Sequence, residues 1–153
     1  MGKIAAALYA IISYVVFLLS FLYAIGFVGN IIVPKTIDSG EVGPLVPSLI
    51  INAILLGLFA IPHSVMARPG FKRWVTKIIP ATVERATYVL VSSLLLFVLY
   101  FFWQAMPTTI WNVQSSAGSI IICGIFWLGW LTVLFSTFMI NHFDLFGLRQ
   151  VYL

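Results

Sequence analysis

Histidine is the side chain best suited to moving a proton or holding a metal near neutral pH, and this chain of 153 residues has two. His63 stands in FAIPHSVMARPGFKRW (59–74), followed by Ser64, Arg68 and Arg73. His142 stands in INHFDLFGLRQ (140–150), between Asn141 and Asp144 and ahead of Arg149, while Glu84 and Arg85 lie between the two stretches. Together these side chains offer proton acceptors, anion-binding guanidinium groups and carboxylates. Two histidines at one depth could hold a haem axially, and one alone could ligate a chlorophyll-type pigment. No motif for either accompanies them, and Cys123, the lone cysteine, adds no metal-ligand set. Nucleophile elbow, phosphate loop and zinc-helix motifs are all missing from the sequence. The plainest role for His63 is a hydrogen bond to a neighbouring helix or to Ser64, a bond that contributes about 0.6 kcal/mol in membranes.

What must position these residues is set by composition. Hydrophobic residues make up 62% of the chain and charged ones only 8%, against about 25% charged in an average soluble domain. Such a chain cannot cover a water-facing surface, so a bilayer is its solvent. The net charge of +4 then reads as cytoplasmic loops meeting anionic lipid, and nucleic acid is not implied.

Four apolar runs are long enough for a hydrocarbon core that takes ~20 helical residues: about 4–33, 45–66, 86–105 and 118–140. They are continuous, without the alternation of a barrel strand. The expected fold is an all-α integral membrane bundle of four transmembrane helices, in one domain. The first run is far longer than the core of a secretory signal and shows no cleavage site, so it reads as a retained helix. It must tilt, kink near Gly26 and Gly29, or leave the membrane early. Small residues (Ala5, Ala6, Ala7 and Ala10; Gly57 and Ala60; Gly124 and Gly129) are expected to let helices approach closely, and Cys123 to pack as a small apolar residue. Trp74, the stretch Tyr100–Trp103 and Trp111 mark the interfaces.

Charge sets the orientation. The loop 67–85 holds Arg68, Lys72, Arg73, Lys77 and Arg85 against Glu84 alone; with Lys3 and Arg149, seven basic residues fall on one side and Lys35 on the other. The positive-inside rule is expected to place both termini and this loop in the cytoplasm. His63, Ser64, Arg68, Arg73, Glu84, Arg85, Asn141, His142, Asp144 and Arg149 are thereby gathered as one polar cluster at the cytoplasmic face. Polar groups at such a place default to a functional hypothesis. Pro69 and Gly70 stop the second helix. Phe71, Trp74, Ile78 and Ile79, interleaved with Lys72, Arg73 and Lys77, suit a short amphipathic helix in the interface plane. The closing FDLFGLRQVYL reads as a loop or interfacial segment.

Three stretches, PHSVMARPGFKRW (62–74), PATVERATYVL (80–90) and INHFDLFGLRQVYL (140–153), together resemble the amino-terminal part of the methanethiol S-methyltransferase group. These are bacterial membrane proteins related to the NnrU proteins and, more distantly, to isoprenylcysteine carboxyl methyltransferases. The resemblance implies a multi-helix enzyme of a bacterial inner membrane, moving a methyl group from S-adenosylmethionine to a small thiol. It also implies an Arg-His-Pro motif and later acidic and aromatic residues beyond FGLRQVYL, forming most of the cofactor site. Here Arg149 is followed by Gln150, so no catalytic residue carries over; 62–74 and 140–149 are left as the face where acceptor or cofactor would approach. The alternatives are a non-catalytic accessory subunit of a larger respiratory or photosynthetic complex, packed against other transmembrane subunits, and a haem- or pigment-binding protein.

Overall fold

In lipid every backbone polar group must be satisfied within its own segment, and the apolar runs accordingly form helices. The computed structural model describes residues 2–151. Its elements are α1 (Lys3–Gly29), α2 (Leu45–Met66), the short α3 (Pro69–Val75), α4 (Glu84–Phe102), α5 (Ser116–Ile140) and the one-turn α6 (His142–Leu145). Single 3-10 turns precede α4 (Ala81–Val83) and follow α6 (Arg149–Val151). The chain is all-helical, and α1, α2, α4 with its leading turn, and α5 are each long and apolar enough to cross a membrane.

α1 stops at Gly29, four residues short of the expected Val33. Asn30 and Ile32 both take positive φ, +54° and +65°, a conformation that halts a helix and is rare for a β-branched residue. The chain doubles back, the Ile31 N–H donating to the Gly26 carbonyl at 3.0 Å. The returning Ile31 and Val33 leave no room for a Cβ at Gly26. The remaining 27 residues still measure about 40 Å, so α1 must tilt in a hydrocarbon core of ~30 Å.

α4 also differs from its expected span, starting at Glu84 and ending at Phe102 rather than 105. Its end is fixed from α2. Asn52, only 3% exposed, donates from Nδ2 to the Gln104 carbonyl at 2.8 Å and accepts the Gln104 N–H at 2.9 Å. One amide side chain thus replaces a strand partner and draws the chain out of the helix.

α4 is the centre of the bundle, packed along α1 on one side and α2 on the other. At one pole Ala6 and Ala10 of α1 are buried against Val83, Ala86 and Val151. At the other, Phe27, Leu55, Leu99 and Tyr100 form a second cluster. Between them, buried Ser13 and Ser20 donate to the carbonyls of Tyr9 and Phe17 in their own helix, so α1 presents small, satisfied surfaces to α4. The close approach expected of small residues occurs at Ala6 and Ala10. Gly124 and Gly129 instead face open space and Cys123 is exposed, because α5 buries no residue. The short helix expected here, α3, covers Pro69–Val75 only, with Ile78 and Ile79 in the turn beyond it.

Candidate functional site

Because α1 and α4 meet through Ala6, Ala10, Val83 and Ala86, the start of α1, the end of α2, α3, the start of α4 and the end of α5 share one pole. All basic residues except Lys35 lie in these segments or in the turns that join and follow them. A pocket of about 310 Å³ opens here, with Lys72, Glu84, Arg85, Tyr88, Ile140 and Asp144 on its wall. It lies at the low end of small-molecule sites, ~300–1,000 Å³, and polar groups converge on it. A larger groove of about 470 Å³ between α1 and α5 is lined by residues such as Leu19, Leu22, Ile25 and Trp127 and lacks such convergence.

The pocket wall is held by the last segment folding over the α4 N-terminus. Arg85 Nη1 donates to the Asp144 carbonyl at 2.8 Å and pairs with Asp144 Oδ1 at 3.0 Å. The Arg85 backbone N–H donates to Gln150 Oε1 at 3.2 Å, so a glutamine two turns beyond α6 serves one of the free N–H groups of α4. Gly147, with φ +82°, brings its backbone against that helix start, where a Cβ would lie 2.7 Å from the Ala86 nitrogen. Asn141, at φ +99° between α5 and α6, accepts the Asp144 N–H.

His142 is a structural pin for this segment. It is 5% exposed, its Nε2 lies 2.8 Å from the Tyr14 hydroxyl and its Nδ1 lies 2.8 Å from Thr137 Oγ1. Phe138 stacks on the ring at 4.3 Å and Phe146 meets its edge. Burial pushes the imidazole pKa below its ordinary value, which favours the neutral ring whose nitrogens donate once and accept once. Both nitrogens are engaged, so axial ligation of a haem or pigment would require breaking this pin.

His63 is half-buried between α2 and α4. Ser92 Oγ lies 3.3 Å from Nδ1, the Tyr88 hydroxyl lies 3.1 Å from both ring nitrogens, and Phe59 stacks at 5.1 Å. Glu84, Tyr88 and Ser92 recur every four residues and therefore share one face of α4. They form a polar ladder running from the pocket about 12 Å along the helix, with His63 set against its inner end.

The ten residues of the expected cluster separate into three groups. Glu84, Arg85 and Asp144 meet at the pocket, with Asn141 bracing Asp144. His63 and His142 are apart in function, with no partner in common. Ser64, Arg68, Arg73 and Arg149 are exposed and carry no side-chain hydrogen bond or ion pair among the described residues. His63 bonds α4 rather than Ser64. Among the described residues no group of three His, Cys, Asp or Glu side chains could hold a metal. Sequence reasoning missed Tyr88 and Ser92, although their spacing from Glu84 was a readable signal. Tyr14, Thr137 and Gln150 carried none, being ordinary residues until the fold brings them to His142 and Arg85.

No protein-family model matches the chain, and no solved structure matches it. Among curated proteins, the methanethiol S-methyltransferase of Mycobacterium tuberculosis is 54% identical over 153 residues, all of this chain and 63% of that protein. Methanethiol S-methyltransferase 2 of Bradyrhizobium diazoefficiens is 52% identical over 99% of this chain and 58% of that protein. Nurim of Xenopus laevis is 34% identical over 64% of this chain and 36% of its own length. The chain spans about three-fifths of the length of the methyltransferases it matches. It is a multi-pass membrane protein, homologous from end to end to part of the methanethiol S-methyltransferases.

Proposed function

We propose that this sequence is a membrane-embedded part of an enzyme that methylates methanethiol, working at the cytoplasmic face of a bacterial inner membrane. The observation that carries the reading is the identity of 54% along the whole chain to a methanethiol S-methyltransferase. The convergence of Lys72, Glu84, Arg85, Tyr88 and Asp144 on one pocket supplies a place for it. Seven of the eight basic residues lie at that pole, and the positive-inside rule puts the pole and both termini in the cytoplasm. A cysteine introduced beside Lys72 should therefore react with an impermeant maleimide only after the cells are opened.

The methyl donor implied by this reading is S-adenosylmethionine, which supplies, when bound, a methyl group on a positively charged sulfur. The pocket fits one aspect of it: Glu84 offers a carboxylate of the opposite sign, without a partner among the described residues. In the transfer a thiol carbon–sulfur bond forms, the donor's carbon–sulfur bond breaks, and the thiol proton must leave. His63 is the proton acceptor on the ladder, and Tyr88 and Ser92 orient its ring. The small apolar thiol reaches this point from the lipid side between α2 and α4, while the proton returns along α4 to the pocket.

Headspace gas chromatography on membranes carrying the full-length protein, supplied with methanethiol and S-adenosylmethionine, tests the reading. Dimethyl sulfide above the empty-membrane level is expected; none, from protein that is folded and inserted, overturns it. A second reading, an accessory subunit, draws on α5, which buries no residue and would lie against helices of another protein. Co-purification in stoichiometric complex, without dimethyl sulfide production, would favour it.

A further inference from the structure

Glu84 is a carboxylate that the fold buries without using. The residue is 6% exposed, yet among the described residues it makes no side-chain hydrogen bond, and the one ion pair at this pole joins Arg85 to Asp144. No buried side-chain oxygen there is sealed off without a partner. What access the carboxylate keeps is through the cavities it lines, one shared with Lys72 and one with Phe71 and Thr87.

A dipole role explains the position poorly. An acid in the first turn of a helix is favoured only modestly by the dipole, and a capping carboxylate would accept a first-turn N–H. Here the Arg85 N–H goes to Gln150 instead, and no N–H of that turn reaches Glu84. An unpaired buried carboxylate is costly to retain in its charged form unless a counter-charge arrives. Arg85 is committed to Asp144, and Lys72 lies on the same wall beyond ion-pair distance. The pocket is left with one unpaired negative group and one unpaired positive group, separated by space.

We propose that this pocket binds the amino-acid end of the methyl donor, Glu84 facing its cationic centre and Lys72 its carboxylate. This rests on the methyltransferase reading above and extends it by assigning a donor subsite to this part of the sequence. S-adenosylmethionine carries two cationic centres, the ammonium and the sulfonium, and S-adenosylhomocysteine separates them because it keeps the first and lacks the second.

The test is equilibrium binding of both compounds to the full-length protein in lipid nanodiscs, for wild type, Glu84→Gln, Lys72→Gln and Glu41→Gln. Glu84→Gln keeps the shape and removes the charge; Lys72→Gln changes a half-buried side chain and keeps the question open should the first variant fail to fold. Glu41→Gln, at the opposite pole, should bind as wild type. The expected result for Glu84→Gln is a loss of at least tenfold in affinity. A loss for both compounds assigns the ammonium, and a loss for S-adenosylmethionine alone assigns the sulfonium. Lys72→Gln should weaken both compounds severalfold. Wild-type affinity in folded Glu84→Gln, or in Lys72→Gln if Glu84→Gln does not fold, overturns the subsite while leaving the methyltransferase reading standing. A wild-type protein that binds neither compound overturns both.

Discussion

Replacing Gly147 by alanine should loosen the segment that walls the pocket, and the size of the effect can be worked from two local terms. Gly147 sits at φ +82°, in the left-handed region where an L-residue pays roughly 1–2 kcal/mol. The new Cβ would also stand 2.7 Å from the Ala86 nitrogen and 3.1 Å from Arg85 Cβ. Neither can yield without moving the first turn of α4, a strain of overpacking typically about 1–3 kcal/mol. Together they destabilise by about 2–5 kcal/mol. At roughly 2–4 °C per kcal/mol for a chain of this size, the thermal midpoint followed by circular dichroism in nanodiscs should fall by about 4–20 °C. Detachment can also be local, so hydrogen exchange at the Arg85 amide gives a second readout: its bond to Gln150 should be lost and its protection with it. Gly124→Ala is the matched control. Nothing lies within 4 Å of that Cβ position, and mid-helix alanine is favoured by up to ~1 kcal/mol, so the midpoint should hold or rise slightly. A Gly147→Ala protein with an unchanged midpoint and a protected Arg85 amide would refute the argument.

Other outcomes follow from the same geometry. Asn52→Ala removes two hydrogen bonds to Gln104 and strands buried backbone groups, a cost of about 2–4 kcal/mol that should lower the thermal midpoint. Asn52→Asp, unable to donate to the Gln104 carbonyl, should fall nearly as far. The His142 pKa is lowered in the folded protein by burial, so the unfolded chain takes up its proton first. This group's contribution is therefore present above its unfolded value of about 6.5 and declines as pH falls below it. Unfolding midpoints measured from pH 7.5 to 5 should drop in wild type and drop less in His142→Gln. In the proposed enzyme, His63→Ala should reduce kcat by about a hundredfold, the scale of a lost general base, with normal insertion. Unchanged dimethyl sulfide production would remove His63 from the reaction.

The amino-acid sequence by itself determined that this protein lives in lipid and crosses it with four helices. Continuous apolar runs and a charge share of 8% admit no other solvent, and intrasegment hydrogen bonding leaves an isolated run little choice but a helix. The gathering of basic residues at one pole was equally legible, since even-numbered crossings return alternate loops to the same side. Helix ends were less so: α1 and α4 stop where Asn30, Ile32 and the Asn52–Gln104 pair act, and each of those is a conformational or cross-helix event that hydropathy does not register. The polar cluster was legible as a list and not as a site. Only tertiary packing decided that His142 would be pinned by Tyr14, across 128 positions of sequence, that Gln150 would serve the start of α4, and that Arg85 would take Asp144. Hydrogen-bond partners are chosen by distances of about 3 Å between segments remote in the chain, and periodicity along one helix carries no information about them. The same packing left Glu84 buried without a described partner, which is why the pocket, rather than either histidine, emerges as the place to look for the methyl donor.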